Sequence, residues 1–76
     1  MRYEFRVWTG PTLVREIASY VRKAGYDPKE GTEYLYGIEE EGQTPAGAAH
    51  NFLAQVEKFN HGMSFGLVPE QMGEVR

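Results

Sequence analysis

The chain has 76 residues, contains no cysteine and carries a formal net charge of −3. A chain of this length forms one domain with a thin core, so we expect residues 1–76 to fold as a single unit. The lack of cysteine excludes disulfides and the usual structural zinc sites, which leaves side-chain packing or self-association as the source of stability.

The first part of the chain predicts a strand followed by a helix. Residues 2–8 alternate apolar and polar side chains, which is the pattern of a half-buried strand, and Trp8 falls on its polar side. Residues 11–24 place apolar side chains at helical spacing. Pro11 suits the first turn, where its missing N–H has no helical partner, and Gly25 suits the position just beyond the end.

The middle of the chain predicts the same succession. Residues 33–40 alternate again and predict a second strand. One face of this strand would carry Tyr34, Tyr36 and Ile38, and the other Leu35, Gly37 and Glu39. Thr44 followed by Pro45 is typical of a helix start, and the apolar spacing continues this helix over residues 45–60.

A third strand and a tail complete the chain. Residues 63–68 alternate and predict the third strand, and residues 70–76 either add a short edge strand or fray. Because the strands alternate and are not apolar throughout, helices cover only one face of the sheet. We therefore expect a two-layer α+β fold in the order β-α-β-α-β, with both helices on one face of a small three-stranded sheet.

The uncovered sheet face is the first candidate binding surface. Its expected side chains include Arg2, Arg6, Trp8, Leu35 and Val68. A tryptophan among aliphatic neighbours can anchor a protein partner. The alternatives are that the tail folds over this face or that Trp8 packs beneath a loop.

A run of glutamates is the second candidate. Glu39, Glu40 and Glu41 stand together in an expected acidic turn that begins at the end of the second predicted strand and precedes Gly42, and Glu33 lies at the start of that strand. The chain after Lys29 holds eight acidic residues against two basic ones. Adjacent carboxylates repel one another, and Arg or Lys of a partner would relieve that repulsion. The alternative is an ordinary solvated turn.

Other chemistries have little support in the sequence. His50 and His61 are about 16 Å apart along the predicted second helix, too far to share a metal ion. No phosphate-binding motif is present, and the net charge opposes direct binding of nucleic acid. No apolar run approaches the roughly 20 residues of a membrane span, and Met1–Arg6 lack the apolar segment of a signal peptide. We expect a cytoplasmic protein that is not an enzyme and needs no metal or other cofactor.

Two resemblances rest on these residues. The segment from Tyr34 to Phe59, with Glu-Glu-Glu-Gly-Gln-Thr-Pro after the strand, resembles the strand–Thr-Pro–helix unit of antitoxins of the HicB type. The whole chain resembles in style the small proteins by which phages and mobile elements block host defence, anti-CRISPR proteins among them. The first resemblance implies a regulatory module, and the second an inhibitor that acts in the host cytoplasm by occupying a surface of its partner.

The sequence therefore favours a non-catalytic protein-binding module. The expected partner is a protein with a basic surface, with nucleic-acid-binding complexes as one class. The alternative is an antitoxin-like or housekeeping regulatory module that forms a homodimer through its sheet. The expected contact residues are Arg6, Trp8, Glu33, Leu35, Glu39, Glu40 and Glu41.

Overall fold

The computed structural model describes residues 1–76, which form four strands and two helices. In chain order these are β1 (Arg2–Trp8), α1 (Val14–Lys23), β2 (Lys29–Glu30), β3 (Tyr34–Glu41), α2 (Pro45–Phe59) and β4 (Pro69–Val75). The sheet has the order β2-β3-β1-β4, and every neighbouring pair of strands is antiparallel. The predicted α+β fold is confirmed. The sheet is four-stranded, because the two-residue strand β2, which sequence reasoning missed, joins it.

Both helices pack on the same face of the sheet, as predicted. The 14 buried apolar side chains form one cluster that draws on both helices and on alternate residues of β1. The largest fully buried members include Phe5, Val7, Val21, Leu35, Ile38, Phe52 and Val56. Phe59, whose spacing along α2 places it in line with the buried residues Phe52 and Val56, is exposed at the last position of the helix. Neither helix is long and apolar enough to cross a membrane.

The start of α2 follows the predicted chemistry. The Thr44 hydroxyl oxygen accepts a hydrogen bond from the backbone N–H of Gly47 at 3.0 Å, and Pro45 occupies the first turn. Gly42 allows the chain to pass close to this helix, because a Cβ atom there would lie 2.5 Å from the backbone nitrogen of Ala48. The turn between β3 and α2 therefore depends on a residue without a side chain.

The third strand does not lie where its pattern predicts. Residues 63–68 form no regular structure, and the strand that pairs with β1 is β4, in the tail. Phe65 packs against the ring of Tyr20, with centroids 5.5 Å apart, and Leu67 is buried. The alternation thus reflects an extended segment that packs on the core without strand pairing. Val68, expected on the sheet face, is exposed in this segment.

A bulge in β3 changes which of its residues face the helices. Phe5 lies opposite Ile38, but Val7 lies opposite Leu35, so β3 contains one extra residue between these pairs. Gly37, with a φ of 74°, lies at this irregularity. Leu35 and Ile38 are consequently both fully buried although they are three residues apart.

Candidate protein-binding surface

The sheet face opposite the helices has no covering element, because the tail extends the sheet as β4 and does not fold over it. Strand register places these side chains on the uncovered face: Arg2, Glu4, Arg6 and Trp8 of β1; Tyr34, Tyr36, Glu39 and Glu41 of β3; and Glu70 and Val75 of β4. We call this surface the open face. One of its ends is aromatic and the other is acidic.

The aromatic end is built around Arg6. Its guanidinium carbon lies 4.9 Å from the ring centre of Trp8 and 5.5 Å from that of Tyr34. The rings of Trp8 and Tyr34 are 5.3 Å apart, and those of Tyr34 and Tyr36 are 5.8 Å apart. These cation–ring and ring–ring contacts hold the aromatic side chains in place. Trp8 is still 50% exposed, so this end presents fixed aromatic surface to the solvent.

Glu70 connects the tail strand to the aromatic end. One of its carboxylate oxygens accepts hydrogen bonds from Arg6 Nη2 at 3.0 Å and from Trp8 Nε1 at 3.2 Å. These two hydrogen bonds, that of Arg6 first, lower the pKa of Glu70 below its ordinary value. Trp8 is therefore oriented from β4 and is not packed beneath a loop.

The acidic end lies further along the same strands. Glu4 stands directly opposite Glu39, and Arg2 stands opposite Glu41. Arg2 forms ion pairs with Glu39 at 3.4 Å and with Glu41 at 3.7 Å, whereas Glu4 has no ion-pair partner. Like charges that face each other across two strands repel. Cations of a partner would therefore be stabilised at this end.

Glu40 does not belong to the open face. It lies on the helix side of β3, opposite Tyr3, and accepts hydrogen bonds from the Tyr26 hydroxyl and from the backbone N–H of Glu41. Burial of Tyr26 and its hydrogen bond to this carboxylate raise the pKa of the phenol. The prediction of an acidic turn is wrong: the three glutamates end a strand, and successive strand residues point to opposite faces.

Two other predicted contact residues lie away from this surface. Leu35 is fully buried on the helix side because of the bulge, so the prediction that it lies on the uncovered face is wrong. Glu33 is exposed just before β3, where its carbonyl accepts two hydrogen bonds from the residues that follow β1. Glu33 and Glu39 are six positions apart, which corresponds to about 20 Å of strand, so Glu33 does not join the acidic end.

Sequence reasoning missed part of the open face. The residues not named as expected contacts were Glu4, Tyr34, Tyr36, Glu70 and Val75, together with Arg2, which was expected on the face but not as a contact. The signal that points to the tyrosines is Gly37, because a glycine inside a strand pattern often marks a bulge. No sequence pattern connects Arg6 with Glu70, which are 64 residues apart.

The histidines are not part of an assembled site. His50 is exposed and lines neither of the two surface depressions. His61 lines a surface depression of about 360 Å³ beside the ends of the helices. No carboxylate lies among the residues that line this depression. No group of three or more His, Asp or Glu side chains is placed to hold a metal ion.

Comparison with known proteins adds no functional assignment. No protein family, curated protein or solved structure matches the chain. The resemblances to HicB-type antitoxins and to anti-CRISPR proteins therefore remain hypotheses, and the open face is the main guide to function.

Proposed function

We propose that this chain is a non-catalytic binding module whose open face occupies a basic surface of a protein partner. The observation that carries the proposal is an uncovered sheet face on which the fixed, half-exposed Trp8 stands in line with the carboxylates of the acidic end. An aromatic anchor contributes binding energy when it is desolvated, and carboxylates steer and orient a basic partner. Glu4 and Trp8 are four positions apart along β1, or about 13 Å, so one protein surface can cover both ends.

The charge of the open face favours a different protein over a second copy of the chain. Four glutamates and two arginines on this face leave a net charge of −2. Two copies stacked face to face would set these like charges against each other, whereas a basic surface would neutralise them. The alternative function, a regulatory module that forms a homodimer through its sheet, would require other contacts to offset this repulsion.

The open face fits best against a protein whose basic surface binds nucleic acid. Glu4, Glu39 and Glu41 would take the places of phosphates against Arg and Lys side chains. Trp8 and Tyr36 would take the places of stacked bases. The proposed action is competition, in which the module excludes nucleic acid by occupying its site, as an inhibitor of a host-defence complex would.

Matched variants test the binding proposal in extracts of the native host. Trp8→Ala removes the aromatic anchor, and Glu39→Gln with Glu41→Gln removes two charges from the acidic end. The control, Glu16→Gln with Glu57→Gln, removes two charges from exposed helix positions. We expect a partner that the parent and the control retain and that both open-face variants lose. Equal retention by all of these proteins contradicts the proposal.

A purified partner then permits a test of competition. The double Gln variant should associate more slowly and with a weaker salt dependence, and Trp8→Ala should dissociate faster. Labelled nucleic acid bound to the partner should be displaced by the parent chain and not by Trp8→Ala. If the nucleic acid and the chain bind the partner together, competition is wrong although the binding stands.

A further inference from the structure

The hydrogen-bond phase of the β1–β3 ladder shows which backbone groups reach the edge of the sheet. The N–H of Gly42 donates to the carbonyl of Met1 at 2.9 Å, which makes these residues a hydrogen-bonded pair. Such pairs alternate along an antiparallel ladder, so the next pairs, Arg2 with Glu41 and Glu4 with Glu39, are not bonded to each other. Glu39 and Glu41 therefore direct their N–H and C=O groups away from β1, towards the outer edge of β3.

The outer edge of β3 is largely capped. At Glu41, the Glu40 carboxylate accepts a hydrogen bond from the N–H at 2.8 Å, and the side chain of Asn51 donates to the C=O at 2.9 Å. At the other end of the strand, β2 pairs with Leu35 and Tyr36. An additional strand would find few free backbone groups on this side of the sheet.

The outer edge of β4, unlike that of β3, leaves backbone groups without a hydrogen-bond partner. The residues of β1 that turn their backbone groups towards β4 are Arg2, Glu4 and Arg6, and they lie opposite Val75, Gly73 and Glu70. Glu74 consequently directs its N–H and C=O outwards, where no side chain caps them and no strand pairs with them. Pro69 and the bulge near Met72 interrupt the first half of this edge, so the open part is residues 72–75.

We propose that the outer edge of β4 around Glu74 accepts an extended segment rich in Lys or Arg as an added strand. This inference rests on the proposed function, because it names how the basic partner attaches at an edge that borders the open face; the Glu74 side chain itself lies on the helix side, opposite Tyr3. Backbone hydrogen bonds hold an added strand, and its alternate side chains provide specificity. A residue paired with Glu74 lies directly beside that carboxylate, so a cation there is stabilised.

A second copy of the chain fits this edge less well than a basic segment. Symmetric antiparallel pairing through Glu74 would place this residue opposite its own copy, and the two carboxylates would repel. The net charge of −3 on each chain adds to that repulsion. A basic segment meets neither obstacle.

The test uses a synthetic peptide that alternates lysine and threonine, with a peptide that alternates glutamate and threonine as its control. We expect the lysine peptide to slow hydrogen exchange at the Glu74 amide and to perturb the β4 amides in NMR spectra. Glu74→Lys should weaken binding about tenfold, whereas Glu57→Lys, an exposed charge reversal on α2, should not. Glu74→Pro removes the outward N–H without removing a bond to β1, and should abolish binding.

Several outcomes overturn this inference. Equal binding of the two peptides, or full affinity in both Glu74 variants, shows that β4 does not accept a basic strand. A concentration-dependent dimer of the parent chain that Glu74→Pro abolishes identifies a second copy as the occupant instead. If the host partner is lost with Trp8→Ala but retained with Glu74→Pro, the open-face function stands and the edge inference fails. If the host partner is retained with Trp8→Ala but lost with Glu74→Pro, the proposed function of the open face is refuted.

Discussion

Replacement of Leu35 by alanine tests the bulge that determines which side chains form the open face. Leu35 is fully buried, so its truncation leaves a cavity in the core and should cost about 2–5 kcal/mol. That is a large share of the roughly 4–11 kcal/mol expected for a domain of this length. Tyr36→Ala, one residue along the chain, removes a 39% exposed ring that is tilted against the ring of Tyr34, and should cost about 1 kcal/mol.

Urea denaturation followed by circular dichroism measures both losses, and comparable slopes would show that the transitions remain two-state. Gly37→Ala is a third variant, since its φ of 74° is unfavourable for other residues by about 1–2 kcal/mol. If Tyr36→Ala costs more than Leu35→Ala, and Gly37→Ala costs nothing, the strand alternates without a bulge. The two tyrosines would then face the helices, and the open face as described would be wrong.

Three further predictions concern stability. Gly42→Ala should lose about 1–3 kcal/mol by thermal denaturation because its Cβ collides with α2, whereas Gly66→Ala, with open space around it, should stay near the parent. Glu40→Ala should cost about 1–3 kcal/mol because it frees two donors, and Glu41→Ala should cost less; equal losses would contradict the role given to Glu40. The lowered pKa of Glu70 means that its ionised form stabilises the fold above its ordinary pKa, and that this contribution is lost as pH falls through the lowered value. The Tm difference between the parent and Glu70→Gln should therefore shrink on acidification, and a constant difference would refute the contacts of that carboxylate.

The elements with strong local signals were predictable from the chain. The alternation of residues 2–8 corresponds to β1, and Thr44 with Pro45 marks the start of α2 where the structure has it. Signals from the tail were weaker, because Gly73 and the polar residues of β4 resemble those of a loop. The alternation of residues 63–68 was strong enough to predict a strand, but that prediction is wrong. An extended segment that packs on a core alternates in the same way as a paired strand.

The candidate site was only partly predictable, because its composition depends on partners distant in sequence. Trp8 and Arg6 were identified from β1 alone. Their neighbour Tyr34 faces them only because of the bulge, and Glu70 reaches them only because the tail becomes an edge strand. Glu40 was assigned to the wrong group because a run of like charges does not show which member points towards the helices.

Local patterns in the sequence alone determined the α+β class, both helices, the central strand and the presence of one uncovered sheet face. These properties follow from side-chain periodicity and capping, which act over a few residues. Only the tertiary structure decided the order of the strands, the bulge at Gly37, the pairing of β4 with β1 and the division of the open face into aromatic and acidic ends. Each of these depends on which strand edges meet, and strand pairing is an interaction between distant segments that no local pattern encodes.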